Sequence, residues 1–388
     1  MLLQGVRVLD FGWVWAGAVP GQMLAFLGAE VIKVETRKRL DYMRQGRAIV
    51  KDAPDTEQQP MFHNINRGKL SLSIDFTAEA GRELLLDLAA HCDVAIQNFA
   101  PGVLDRYGLG YEALRARRPD LVMLSLSGGG QQGPLRELRS YASTIAAFSG
   151  LDSLCGYPGE EPLGVQQSYP DPNASLHGAV AILAALIRRK RTGRGDHIDL
   201  SQLAAGMQTS AEAMAWLDLF GEAPGPLGNL PPNDEPLHDC FHCAGEDEWI
   251  AVAAEDEAQL AAIAALTGAP SDDRDAVRGA LEAWCAERGP RDAMEALQAA
   301  GVPAGAATTA KDRFEDPHYR ARGTYVETEH PSIGWELVYR APWIWPDEIP
   351  LANDRAPLMG EHNEYVVCEL LGRPREELDR LTAEQVLY

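Results

Sequence analysis

The sequence predicts an α/β protein in which a large doubly wound, Rossmann-like domain is joined to a smaller α/β domain. Three observations predict it. Apolar, β-rich runs alternate with helix-period segments through the first two hundred residues. At 388 residues the chain is too long for one average domain and short for three. A Pro/Gly-rich break, GEAPGPLGNLPPNDEP at 221–236, separates two regions of ordinary composition.

The elements follow in order. VRVLDF (6–11) is a strand, GQMLAFLGAE (21–30) has helical spacing and a glycine stop, and VIKVE (31–35) is a second strand. Such a βαβ unit implies a parallel sheet with right-handed crossovers. The pattern repeats as strand LSLSID, helix EAGRELLLDLAAHC, strand DVAIQNF, helix YEALRARRP and strand LVMLSLSG. A long helix over 172–191 and strand HIDLS (197–201) complete the large domain. Sheets of this kind bind ligands at the carboxyl ends of their strands. Here those ends are GWVWAG (12–17), ETRKR (35–39), NFAPG (98–102) and SGGGQQGP (127–134).

The expected organisation is a first part of the large domain at 1–205, a linker at 206–236 and a small α/β domain at 237–305. A second connector at 306–323 then leads to a C-terminal return, 324–388, to the large domain. In the small domain EWIAVAA is a strand, FHCAGEDEWIAV a hairpin, and Ala-rich helices occupy 256–266 and 290–299. TYVETEH and WELVYR are strand-like, and the C-terminal residues are helical.

The formal net charge is −22. A nucleic-acid binder needs a basic face to neutralise phosphates, so that class is excluded. An anionic ligand must instead meet a local basic cluster. No apolar run reaches bilayer length and no basic, cleavable leader opens the chain, so a cytoplasmic protein without a membrane partner is expected. The six cysteines are scattered and read as reduced thiols.

Three motifs yield to plainer readings. GGGQQG (128–133) matches a dinucleotide fingerprint, yet Pro134 removes an amide where the phosphate-binding helix should open. Cys240-Phe-His-Cys243 lacks a second ligand pair, so no metal is expected. No G-x-S-x-G elbow supplies a serine nucleophile. Asp171 is different. It stands before Pro172 at the head of the long helix, which Gly193 ends, and so has the position of an N-cap. A carboxylate there is stabilised as the anion by the helix N-terminus and remains available as a nucleophile, so capping and catalysis are compatible.

Taken together, VRVLDFGWVWAG…FLGAEVIKVE, NRGKLSLSIDF, NFAPGVLDRYGLGYEALRARRPDLVMLSLSGGGQQGP, DPNASLHGAVAILAALIRRKRTGRGDHIDLS, GVPAG, FEDPHYRARG and APLMGEHNEYV resemble the class III CoA-transferases (the carnitine-dehydratase/bile-acid-inducible, CaiB/BaiF, family). The resemblance spans nearly the whole chain. It implies that Asp171 is the covalent nucleophile and that CoA is contacted by Val14, Ile74, Asn98, Phe99, Arg106 and Arg139. Arg37 and Lys38 lie near a basic position for the nucleotide phosphates. With Arg39 these arginines and lysine form the local anion site that an acidic protein requires.

The formyl-CoA members carry His and Gln where this chain has Trp13 and Trp15, which turns formate or oxalate specificity away. Alternating with Val14 after the first strand, both tryptophans are expected to shape an acyl pocket. The glycine-rich lid of the formyl-CoA type has no counterpart in 221–245. The implied reaction moves CoA from an acyl-CoA donor, succinyl-CoA being frequent among relatives, to a carboxylic acid. It passes through an aspartyl mixed anhydride and an aspartyl-CoA thioester, with no permanently bound cofactor. The alternatives are a 2-methylacyl-CoA racemase or isomerase, a dehydrogenase using GGGQQG, and a silent CoA-binding subunit paired with an active paralogue. The racemases carry Gly-His-Asp where this chain reads Leu138-Arg139-Ser140, so their base is missing. The long connectors, together with the family's habit, imply an interlocked homodimer or an equivalent heterodimer.

Overall fold

The computed structural model describes residues 1–45, 55–230, 235–345 and 355–388. The chain forms two compact units, one of Met1–Leu151, Val165–Met214 and Gly323–Tyr388, the other of Asp152–Gly164 and Ala215–Arg322.

The first unit is built on six parallel strands: β1 (Arg7–Asp10), β2 (Glu30–Glu35), β3 (Lys69–Ser73), β4 (Val94–Gln97), β5 (Val122–Ser127) and β6 (Asp196–Ser201). Their order is β3-β2-β1-β4-β5-β6, which reverses direction between β1 and β4. This is the expected doubly wound sheet. Its helices are α1 (Val14–Phe26), α2 (Pro60–Ile65), α3 (Glu79–Ala90), α4 (Val103–Arg106), α5 (Tyr111–Arg117), α6 (Ala142–Phe148), α7 (Pro170–Thr192) and α8 (Gln202–Gln208).

Successive strand residues feed opposite layers. Leu9, Ile32, Leu72 and Ala95 pack with Leu84, Leu85 and Leu88 of α3. Val8, Val31, Ile96 and Leu124 pack with Leu24 of α1 and Ala174 and Ile182 of α7. Each fully buried Leu or Ile contributes about 1.5–3 kcal/mol relative to exposure, so both layers are strongly held.

Two helices start earlier than their sequence signals. Helix α1 begins at Val14 rather than Gly21 and contains Pro20. Pro20 has no amide to give Ala16 O, and the Ser175 hydroxyl of α7, 3.0 Å away, supplies that donor instead. A proline that reads as a helix start is therefore tolerated inside one by a tertiary hydrogen bond. Helix α7 begins at Pro170, so Asp171 lies within its first turn and Tyr169 takes the cap position. The N-cap reading of Asp171 is thereby corrected.

Helix α9 (Ala211–Phe220) occupies part of the expected linker. Residues 231–234 of that stretch lie outside the described residues. The second unit carries an antiparallel sheet of β7 (Leu237–His242), β8 (Trp249–Ala254) and β9 (Ala304–Ala306). Three helices, α10 (Glu257–Thr267), α11 (Arg274–Ala286) and α12 (Pro290–Ala299), complete its core. Helix α11 was not expected, although Val277, Leu281 and Cys285 recur at helical spacing and are buried. The second connector holds two short helices, α13 (Ala310–Glu315) and α14 (Pro317–Ala321), the first opened by a Thr309–Asp312 capping box.

The chain ends in the first unit with hairpin β10 (Tyr325–His330) and β11 (Gly334–Tyr339), a π-helical turn at Tyr365–Leu370, and α15 (Arg375–Ala383). Backbone bonds from Asp75 N to Val386 O and from Tyr388 N to Ser73 O seat the terminus against the end of β3. Among the described residues no helix is long and apolar enough to cross a membrane.

Candidate active site

The crevice of an open parallel sheet lies where strand order reverses. Here that is the carboxyl end of β1 beside that of β4, so the turn from β1 into α1 is the first place to look. Val14 opens α1 with φ +55°, a left-handed conformation that is a genuine outlier for a β-branched residue and costs about 1–3 kcal/mol. Buried polar groups hold it there. The Val14 amide donates to both oxygens of Asp41, each at 3.1 Å. Lys33 Nζ donates to Gly12 O at 2.7 Å and reaches Asp41 Oδ2 at 3.4 Å.

Asn98, just after β4, brackets the Trp13 backbone. Its Oδ1 accepts from Trp13 N at 2.8 Å and its Nδ2 donates to Trp13 O at 3.0 Å. The approach is so close that a Cβ on Gly17 would lie 2.2 Å from Asn98 Oδ1. Deeper, Asp10 Oδ1 accepts the Gly12 amide while Lys69 Nζ spans Asp10 Oδ2 and Ala18 O, both at 2.7 Å. Burial, with Lys33 adding repulsion, pulls Lys69 down to about 8 against the pull of Asp10. Two carboxylates thus occupy the amides that a dinucleotide fold offers to pyrophosphate. The GGGQQG loop opens no helix either; bends, turns and irregular backbone continue to Tyr141. Neither place suits a nicotinamide cofactor.

A cavity of about 280 Å³ opens on this turn. Trp13, Val14, Asn98 and Phe99 line one part of it, and Gly128, Arg139, Ser140 and Tyr141 another. Asp171 and Gln202 complete the lining. Trp13 and Phe99 meet edge to face at 5.3 Å, and Tyr42 and Tyr141 do so at 6.3 Å.

Asp171 is 8% exposed, and its Oδ1 accepts a hydrogen bond from Gln202 Nε2. Burial pushes its carboxyl up to about 6, with the Gln202 bond working in the opposite direction. Desolvation of the charged form is the larger of these two effects, so the net direction is upward. At pH 7 a group of this kind is still ionised by about ten to one. Its seat is rigid. Asn173 Nδ2 donates to Ala205 O of α8 at 2.9 Å, and Ser175 Oγ lies 2.7 Å from Asp171 O. Gly178 lets α7 press onto β5, since a Cβ there would stand 2.8 Å from Leu124 Cδ2.

The structure brings Trp13, Val14, Asn98, Phe99, Arg139 and Asp171 to one cavity. The other expected site residues lie elsewhere. Trp15 packs with Ala18, Val19 and Ile65, because residues 14–26 are helix and the strand alternation linking it to Trp13 does not exist. Ile74 is fully buried and pairs with Leu387. Arg106 ends α4, exposed and outside the cavity lining. Beyond β2, Lys38 pairs with Asp75, Arg37 lies 5.9 Å from the Tyr388 ring, and Arg39 lies 5.5 Å from that of Trp13.

Sequence reasoning missed Gln202, Tyr42, Tyr141 and Asp41. Gln202 immediately follows the carboxyl end of β6, so the strand-end rule would have found it. Nothing local distinguishes the other three.

Residues 3–363 match the family described as CoA-transferase family III. The chain is 31% identical to the succinyl-CoA–D-citramalate CoA-transferase of Chloroflexus aurantiacus, over 99% of this chain and 98% of that protein. It is 32% identical to the succinate–glutarate CoA-transferase of Agrobacterium fabrum, over 95% of each. The crystal structure of a CaiB/BaiF family protein from Brucella suis superposes with a TM-score of 0.85 at 33% identity, covering 97% of this chain and 99% of that one. The chain belongs to CoA-transferase family III and is an enzyme that acts as a CoA-transferase.

Proposed function

We propose that the enzyme moves CoA from an acyl-CoA donor, succinyl-CoA or the ester of a similar acid, to a carboxylic acid, with Asp171 as covalent nucleophile. The observation that carries this reading is a buried carboxylate, bonded by Gln202, opening on the switch-point cavity. Asp171 attacks the donor thioester, forming a mixed anhydride and releasing CoA thiolate. The thiolate then attacks the aspartyl carbonyl, which frees the donor acid and leaves an aspartyl-CoA thioester. The acceptor carboxylate runs these steps in reverse. One thioester is exchanged for another, so no ATP is consumed, and covalent catalysis divides the exchange into easier acyl transfers.

A cavity of about 280 Å³ suits the acyl-thioester end of the substrate rather than the whole of CoA. Trp13 and Phe99 face the acyl group, and the Arg139 guanidinium suits a carboxylate or phosphate. The nucleotide then extends over the surface towards Arg37, Lys38 and Arg39, with Arg106 a further cation. The names of the two relatives support a dicarboxylate as donor or acceptor.

Helix α7 exposes Leu176, Val180 and Ile187, at 51%, 66% and 57% of their surface, and this apolar stripe supports pairing with a second copy. The six free thiols support a cytoplasmic setting. The test is turnover of succinyl-CoA against a panel of acids with hydroxylamine present. Wild-type enzyme should acquire a hydroxamate at Asp171, and Asp171→Ala should lose exchange while remaining folded. Full exchange by the alanine variant would end the covalent reading.

A further inference from the structure

We propose that the Gln202 side-chain amide is a catalytic group that stabilises the negative charge collecting on Asp171 Oδ1 when the aspartyl carbonyl is attacked. The inference rests on Asp171 being the nucleophile. Gln202 is itself 5% exposed, stands at the first position of α8 and lines the same cavity as Asp171. Its Nε2 donates to Oδ1, while Oδ2 accepts no hydrogen bond among the described residues. The two carboxylate oxygens are therefore unequal. Oδ2 is the one left to bond carbon.

The reaction follows from that asymmetry. Asp171 Oδ2 bonds the donor carbonyl carbon, and the C–S bond breaks with its electron pair leaving on CoA sulfur. In the anhydride Asp171 Cγ keeps a double bond to Oδ1. When the thiolate bonds Cγ, that π pair moves onto Oδ1, where the Gln202 N–H already points. Collapse restores the carbonyl and breaks Cγ–Oδ2, and the donor acid departs with that oxygen. The same oxyanion forms again when the acceptor carboxylate attacks the aspartyl thioester. A buried donor fixed before reaction requires no reorganisation as the charge forms.

The backbone holds Gln202 for this role. The Leu203 amide donates to Gly128 O at 3.0 Å, and Ser201 caps α8 by accepting from Ala204 N at 3.2 Å. Asn173 ties α8 to α7 from the other side. Tyr42, Tyr141 and Arg139 are the remaining titratable side chains lining the cavity. Among the described residues the hydrogen bond that Oδ1 accepts comes from Gln202.

The test compares wild type with Gln202→Met, near in size without a donor, and with Gln202→Leu should the methionine variant fail to fold. Each is assayed for exchange from succinyl-CoA across pH 5–9. Losing the donor should lower kcat about 10²- to 10³-fold while the KM for the CoA ester stays within about threefold. The acid limb of kcat/KM should also move up by about one pH unit, because burial of Asp171 is then unopposed. A group that merely packs would leave that limb in place. A kcat within threefold of wild type, or a loss of rate with an unmoved limb, overturns the assignment of Gln202. Failure of wild-type enzyme to form the Asp171 hydroxamate overturns the underlying mechanism instead.

Discussion

Replacing Asp171 by asparagine should destroy exchange and, at neutral pH, make the protein more stable. The carboxyl is raised from 3.8 to about 6 by burial, against the Gln202 bond. A carboxylate whose folded value lies above its unfolded value binds its proton more tightly when folded. Stability therefore falls as pH rises from about 4 to about 6, and the full penalty is present above that window. Two units at 1.36 kcal/mol each make the ionised side chain cost about 3 kcal/mol at pH 7.5, and less than about 1 kcal/mol at pH 4. Asparagine carries no charge and its amide oxygen still accepts from Gln202, so the variant escapes most of that cost.

Urea titrations at pH 7.5 and pH 4.0 measure the difference, since urea keeps the unfolded chain in solution near its isoelectric point of about 4.8. The variant should be more stable by up to about 3 kcal/mol at the higher pH, with the gap nearly closed at the lower. With an unfolding entropy of about 2.1 cal/mol/K per residue, the same difference raises Tm by about 4 °C for a chain melting as a whole. An asparagine variant less stable than wild type at pH 7.5, or a gap unchanged between the two pH values, would refute the reasoning.

Three further outcomes are expected. Arg139→Gln should raise the KM for the CoA ester several-fold more than that for the free acid, measured by steady-state kinetics with each substrate varied; the reverse pattern places Arg139 on the acid. Gly17→Ala drives a methyl into Asn98 and should cost about 1–3 kcal/mol, read by urea denaturation, with larger losses of activity than of stability because Trp13 is displaced. Mixing tagged and untagged folded protein should yield no mixed dimers under native conditions, whereas rapid exchange would exclude threaded chains.

The amino-acid sequence alone determined the doubly wound sheet, since period-2 and period-3.6 apolar patterns are local and strands β1 to β5 bury their own residues. It also singled out Asp171, whose place between two prolines ahead of an apolar helix is a local signal. Whether that carboxylate is a cap was not local. Helix α7 starts one residue before Asp171, and the side chain turns to Gln202, thirty-one residues on. The Trp13–Trp15 pairing failed for a related reason: Pro20 reads as a helix boundary, but Ser175 completes the bond it omits, and Trp15 is carried onto another face. Helix α11 was legible in its spacing and overlooked. Asp41, Lys33 and Lys69 could not have been found that way, because their meaning lies in the strained turn around Val14, where Asp41 accepts the Val14 amide while Lys33 and Lys69 donate to Gly12 O and Ala18 O. Desolvation likewise exists only in the folded state, so the upward shift of Asp171 was decided by tertiary packing, against the opposing hydrogen bond from Gln202.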